Sequence, residues 1–508
     1  MNIAIIGGGI AGLSAATVLQ ELGNHITIFE QHKNLGGMVR SELDKLSNFQ
    51  EHTPRVFFNN YYNFWNIISR IPIYYQKIET EKNLLNVFQY VDGNYLVTKY
   101  GLTSTSIFKM FFNSKLNLLE LLVLGFFIFR YMLCSTERLE DDADQISVGS
   151  FIKNKEGRKR FEMLSLIMGE TLNKLPLIKL VRIIEQNLQF GGLKILKGDN
   201  NEYLFNNWEL YLRSLNATIV KNRIVQRINQ EQNGTYTLYC DKGVFHKFTK
   251  IIVATDLWNM IKIFENSNIK LHEHIYELSK ATKSNQMGIN IYFPNSIEFK
   301  TKSIYALEES DWKLIIEPKD NNWTQKSKTG IWTVSIPDDN LYSSRLKKYV
   351  KDCIPNEIYE EIWYQIYNSN IFENIIIPKE QIKPSFFKIW VGWDNTTNTL
   401  KNKEPYFWNA IGTCGKRPLQ NIGMRDIFLA GAYTKTSYYH FWVEGACESG
   451  LKCAQLIDYR VQYHTHSRIK LFKLFHKLDK YLYDEYLPNI LDVILIISML
   501  LISYQKFR

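Results

Sequence analysis

Residues 2–30 read NIAIIGGGIAGLSAATVLQELGNHITIFE. A β-branched run ends at Ile6, glycines follow at positions 7, 9 and 12, an apolar stretch closes at Gly23, and a second apolar run ends in Glu30. The spacing predicts strand, glycine turn, helix and strand, the opening of an α/β dinucleotide-binding fold. Each glycine has a separate task. Gly7 permits the tight turn, Gly9 lets the backbone approach a pyrophosphate, and Gly12 lets the helix pack against the strand. Ile10 and Ala11 begin that helix, whose free N–H groups face the phosphates. Glu30, 18 residues past Gly12, is placed to accept hydrogen bonds from the adenosine ribose and would repel a 2′-phosphate.

Outward from this segment, a chain of 508 residues holds two or three domains at about 100 to 200 residues each. Hydrophobic residues make up 45% and charged residues 22%, with 30 Tyr, 30 Phe and 11 Trp, which excludes disorder, collagen and coiled coil. The six cysteines form no C-x-x-C pair and no zinc-like cluster with histidine, so the expectation is a reduced compartment and no metal. The apolar N-terminus has no basic stretch before it and reads as part of the fold, not as a leader.

The segment after Glu30 separates FAD from NAD. Leu35-Gly-Gly-Met-Val-Arg-Ser41 resembles the second glycine motif of the flavin-containing amine oxidase and phytoene desaturase superfamily. The resemblance implies that Gly36 and Gly37 run along the cofactor and that Arg40 lies near the diphosphate and flavin. Residues 426–457, DIFLAGAYTKTSYYHFWVEGACESGLKCAQLI, resemble the closing flavin motif, and are particularly similar to plant-type phytoene and ζ-carotene desaturases. Gly431 would let the chain pass near the cofactor. The helix that starts at Val443 and Glu444 would hold the electron-rich pyrimidine side of a reduced flavin at its N-terminus. The family usually has an acidic residue where this chain has Ala432. Residues 216–254 read as a strand, a hairpin around Asn233-Gly234 and a returning buried strand. In the family the position matching Val225 contacts the adenine through its backbone.

Candidates for the chemistry are fewer. Glu51, His52 and Arg55, in FQEHTPRVF (residues 49–57), lie in a stretch that resembles the one running near the flavin in desaturases, and a cation there would stabilise an anionic reduced flavin. A salt-bridged turn bent by Pro54 is the alternative. Tyr438 and Tyr439 precede the closing helix and offer aromatic surface to a substrate or to simple packing. Residues 116–133, LNLLELLVLGFFIFRYML, form an apolar helix interrupted by Glu120 and Arg130, expected to be buried or interfacial and not spanning. No lysine is nominated near flavin N5.

Half of the net charge of +10 lies in residues 460–480, where six cations stand against Asp479 alone. Arg460, Arg468, Lys470, Lys473, Lys477 and Lys480 alternate with Leu471, Leu474, Phe475 and Leu478, the pattern of a basic amphipathic helix on an anionic surface. Residues 487–504 add an apolar end. No nucleic-acid fold is recognised. The expected architecture is a Rossmann-like FAD-binding domain (residues 1–90, 195–285 and 400–459), an inserted α+β substrate domain (91–194 and 286–399) and a C-terminal helical tail (460–508). The expected function is FAD-dependent dehydrogenation or desaturation of an apolar, isoprenoid-like substrate on the cytoplasmic side of a membrane. A flavin amine oxidase and a non-catalytic scaffold that kept the nucleotide fold are the alternatives.

Overall fold

The computed structural model describes residues 1–44, 48–91, 115–167, 170–187, 193–323, 329–394, 400–440 and 442–506. The part of the expected substrate domain at 92–114, Phe441 and the last two residues lie outside this set.

The glycine turn follows the central strand of a five-stranded parallel sheet in the order Thr218–Val220, His25–Phe29, Asn2–Ile6, Lys250–Val253 and Ile427–Leu429. Register places Ile5 between Ile28 and Ile252. Covered on both faces, these strands are apolar throughout instead of alternating. One face carries helix Ile10–Glu21, which in turn packs on the closing helix Val443–Ile457. That packing is backbone to backbone: a Cβ on Gly450 would stand 2.1 Å from the Ala11 carbonyl oxygen, and one on Gly12 would stand 2.0 Å from that of Gly7. The other face carries an antiparallel sheet of Val225–Gln230, Tyr236–Cys240 and Val244–Phe248, whose Ile228 and Leu238 pack with Ala4, Ile6 and Phe29.

The hairpin turns at Asn233-Gly234, as expected, with Gly234 at φ +81°. Thr218–Val220, however, belongs to the parallel sheet, and Val244–Phe248 is a strand that the sequence reading passed over. Only Phe248 of its five residues is buried, so no buried run announces it.

The insert at 286–399 forms a second five-stranded sheet, centred on Met287–Phe293 and Gly330–Ile336, with Trp312, Trp332 and Trp390 buried beneath it. A helical layer contains Leu118–Leu133, Lys155–Ile167 and Leu177–Asn187. The first of these opens with a capping box, in which Asn117 and Glu120 each take the other's backbone N–H. Glu120 is therefore a cap rather than a charge in a span. The tail ends in helices Lys473–Asp484 and Ile490–Lys506. Its basic helix begins later than Arg460: Arg460 pairs with Asp458, and Arg468 pairs with Glu185 while donating to the carbonyls of Tyr131, Met132 and Cys134. Among the described residues, no helix is long and apolar enough to cross a membrane.

Candidate functional site

A cavity of about 900 Å³ opens where the strand ends of the parallel sheet meet the second sheet and the helical layer. Gly9, Ile10 and Ala11 line one end. Gly9 has room: an added Cβ would come no closer than 3.8 Å to any neighbour, the Cα of Gly37. No side chain caps helix Ile10–Glu21 and no acidic residue stands in its first turn, so its N-terminal donors suit an anion. Glu30 lines the same end, 4% exposed, and accepts the N–H of Gly8 at 2.8 Å and of His32 at 2.9 Å. Each of its oxygens keeps a lone pair for a hydroxyl. Val225 lies close by with Arg223, Asn259 and Lys262.

In the middle, Gly36 and Gly37 cross over Gly9. The Gly36 N–H donates to the Gly8 carbonyl at 2.8 Å, and both glycines have positive φ, +113° and +56°. Arg40 lines the cavity and is held by three contacts: Nε donates to Glu42 at 2.8 Å, one terminal nitrogen to the Gly37 carbonyl at 2.9 Å and the other to Glu404 at 2.7 Å. Burial alone would raise the Glu404 carboxyl, but hydrogen bonding from His32 and the charge of Arg40 bring it down to about 2. Gly431, at φ +139°, and Ala432 line the opposite side, where the Ser449 hydroxyl accepts the Gly431 N–H. The closing helix has no side-chain cap, and Val443 and Ala446 at its start face the cavity.

Arg55 is the one member of the Glu51, His52 and Arg55 set that lines the cavity. Its guanidinium donates to the Met38 carbonyl and, at 2.7 Å, to the Tyr406 hydroxyl, which stands 3.0 Å from His52 Nδ1. His52 lies behind this contact, where burial and then the charge of Arg55 lower its pKa to about 3. Burial thus favours the neutral imidazole, which shares a hydrogen bond with the Tyr406 hydroxyl and braces it. Glu51 is removed from the cavity too: it pairs with the buried Lys319 at 2.5 Å, which also meets Glu317 at 2.8 Å. Burial raises the Glu51 carboxyl against the pull of that lysine. These contacts join the strand Phe49–Glu51 to the inserted sheet.

Tyr438, Tyr439 and Glu444 also lie away from the lining. Tyr438 packs between Tyr61 and His466, and the Tyr439 hydroxyl donates to Glu140 at 2.6 Å. The carboxylate of Glu444 accepts from Asn63 and from the Phe64 N–H, capping helix Tyr62–Ile68. Gly12 is likewise under the site rather than in it. Glu404, Tyr406 and Asp256 were not nominated from the sequence. Asp256 alone had a legible signal, as the cap of helix Leu257–Asn266 directly after a buried strand.

A family model of NAD(P)-binding Rossmann-like domains matches residues 5–71, and one of flavin containing amine oxidoreductases matches residues 412–458. The ζ-carotene desaturase of Arabidopsis thaliana is 22% identical over 501 residues, covering 90% of this chain and 85% of that protein. The 15-cis-phytoene desaturase of an Oncidium hybrid cultivar is 23% identical over 499 residues, covering 90% and 78%. The chain is a flavin-dependent oxidoreductase related to carotenoid desaturases and amine oxidases. A solved structure of putrescine oxidase superposes on this oxidoreductase with a TM-score of 0.59 at 13% identity, covering 90% of this chain and 99% of that one. Cyclohexylamine oxidase from Brevibacterium oxydans gives a TM-score of 0.58 at 14% identity, covering 90% and 98%. The cofactor of this oxidoreductase is FAD. Two uncapped helix N-termini, a glycine cradle and a buried carboxylate on one elongated cavity suit a dinucleotide carrying an electron-rich ring.

Proposed function

We propose that this oxidoreductase removes hydrogen from an apolar, isoprenoid-like substrate at the surface of a membrane. One observation carries the substrate class. The lining includes six apolar or aromatic residues, Phe58, Tyr61, Leu166, Ile304, Ile315 and Trp442, while its lysines, Lys262 and Lys403, and its carboxylates, Glu30, Asp256 and Glu404, come from other segments of the chain. A hydrocarbon chain would exchange water for apolar surface along these residues, whereas an ammonium would find only the ring faces of Phe58, Tyr61 and Trp442 there.

In this reading Ile10 and Ala11 donate backbone N–H groups to the diphosphate, Glu30 accepts from the ribose, and the Val225 backbone meets the adenine. Gly9, Gly36, Gly37 and Gly431 leave the backbone clear of the cofactor. The start of the closing helix at Val443 faces the pyrimidine side, and Arg55, held by Met38 and Tyr406, adds a fixed cation beside the second glycine motif. Bound FAD supplies the acceptor for a hydride from a substrate C–H. The aromatic wall orients the substrate and excludes water, which is most of what a hydride transfer asks of side chains. The membrane part of the proposal draws on the exposed leucines of the tail and on its lysines.

The test begins with the visible spectrum of the purified protein and its anaerobic bleaching. Bleaching by a polyene precursor, with no response to amines, is the expected result. Bleaching by an amine with release of hydrogen peroxide in air would replace this substrate class with an amine.

A further inference from the structure

The tail does not hang free of the enzyme. Helix Ile490–Lys506 is fixed to helix Leu118–Leu133 by a bidentate pair, Arg130 to Asp492 at 2.8 and 2.5 Å. Helix Lys473–Asp484 is pinned at Asp479, whose carboxylate, wholly buried, accepts from the Ser135 N–H at 2.7 Å, Arg138 at 3.0 Å and Asn489 at 2.8 Å. Phe472, just before that helix, meets Phe129 edge to face with ring centroids 6.1 Å apart. Three helices from opposite ends of the sequence thus form one surface.

The surface is apolar where it faces outward. Leu118 and Leu119 are each 71% exposed, Leu474 75% and Leu500 65%, and Leu122, Leu471, Ile497 and Met499 are exposed with them. Monomeric soluble proteins rarely leave so extended an apolar patch in water. Beside it Lys470, Lys473 and Lys477 recur at helical spacing, exposed and without an ion-pair partner among the described residues. Apolar side chains flanked by unpaired cations complement an interface whose headgroups are negative and whose acyl chains begin a few ångströms below. A second copy of the chain would bring the same lysines against one another.

We infer that helices Leu118–Leu133, Lys473–Asp484 and Ile490–Lys506 together form a rigid docking face for an anionic lipid bilayer, lying in the interface and not across it. The inference rests on the membrane part of the proposed function and adds a commitment: the helix at 118–133, remote in sequence from the tail, inserts with it. Its inner residues Leu124, Ile128 and Tyr131 belong to the same apolar cluster as Trp442, which lines the cofactor cavity. Docking by this face therefore places the lipid on the far side of a helix whose inner residues pack against the cavity lining.

The full-length FAD-loaded protein is sedimented with vesicles of phosphatidylcholine alone or with a third of phosphatidylglycerol. Binding to the anionic vesicles is expected. Replacing Lys470, Lys473 and Lys477 by Gln should weaken it by about a hundredfold, since each lysine near an anionic surface contributes about 1 kcal/mol. Leu118→Ser with Leu122→Ser, which leaves the tail intact, should weaken it by tenfold or more, with flavin content and thermal unfolding unchanged. Binding insensitive to the leucine pair would overturn the shared face while leaving a tail-only anchor standing. No binding to either vesicle would remove the membrane reading itself, and a detergent-free dimer that protects Leu118 and Leu122 from solvent would assign the face to a second copy. None of these readouts involves substrate, so the flavin chemistry is judged separately.

Discussion

Gly9 and Gly12 are three residues apart in one motif, yet the structure assigns them opposite sensitivities. A Cβ at Gly12 would stand 2.0 Å from the Gly7 carbonyl oxygen, and neither backbone can yield without separating helix from strand. Gly9 has an ordinary extended conformation, φ −80° and ψ −179°, and open space around it. Gly12→Ala should therefore cost several kcal/mol of stability, on the order of an overpacked core, and yield little folded protein. Gly9→Ala should fold with a near-native circular dichroism spectrum but retain less FAD. Equal flavin content in Gly9→Ala and the parent would contradict the placement of the diphosphate there. His52 supplies a pH test. Burial, then Arg55, hold its folded pKa at about 3 against an ordinary 6.5. Between those values the unfolded chain binds a proton that the folded one refuses, so stability is present above about pH 6.5 and is lost as pH falls, at about 1.4 kcal/mol per pH unit. His52→Gln, which keeps an acceptor for Tyr406, should flatten that slope by one proton's worth. Urea unfolding at about pH 7 and about pH 5 would measure it, and parallel pH dependences for the two proteins would refute it.

Among elements, those with a periodicity were legible and those held by distant partners were not. The first strand, turn and helix follow from spacing that physical chemistry allows in few other forms. Helix Val443–Ile457 and the Asn233-Gly234 turn were legible for the same reason. Glu51 and Glu444 stand off the cavity lining because their partners, Lys319 and Asn63, lie 268 and 381 residues away, and nothing local distinguishes a carboxylate that faces a cavity from one that caps a helix. Arg40 lines the cavity, but its contact with Glu404 was invisible for the same reason. Asp479 is the sharpest case, a lone acid in a basic run that reads as a weak interruption and is in fact the pin of the tail. Breaking a buried, hydrogen-bonded pair by removing one partner costs about 3 to 5 kcal/mol. Asp479→Ala should release both tail helices while leaving the parallel sheet intact. Limited trypsin digestion should then cleave within residues 470–480 much faster than in the parent, with the flavin spectrum kept. A tail as resistant in the variant as in the parent would mean that Arg130 and Asp492 hold it alone.

At the scale of the molecule, the cavity is assembled from stretches that lie far apart in the chain. Its walls come from residues 6–61, 223–266 and 391–446 together with Leu166 of the helical layer and the insert at 286–335. No one of these stretches makes a binding surface alone, so a dinucleotide that spans them should act as a brace for the whole fold. Because FAD binds the folded chain and has no site on the unfolded one, it stabilises by RT ln(1 + [FAD]/Kd), about 4 kcal/mol at a thousandfold excess over Kd. Stripping the flavin should lower the unfolding temperature, and titrating FAD back should raise it logarithmically with concentration. NADP should have no such effect, since Glu30 would repel its 2′-phosphate. Calorimetry of the stripped and reloaded protein distinguishes the cases. An unfolding temperature that does not move with FAD would mean that the folded chain does not bind it, and the cavity walls would then be held by their own packing, as at Gly450 and Ala11.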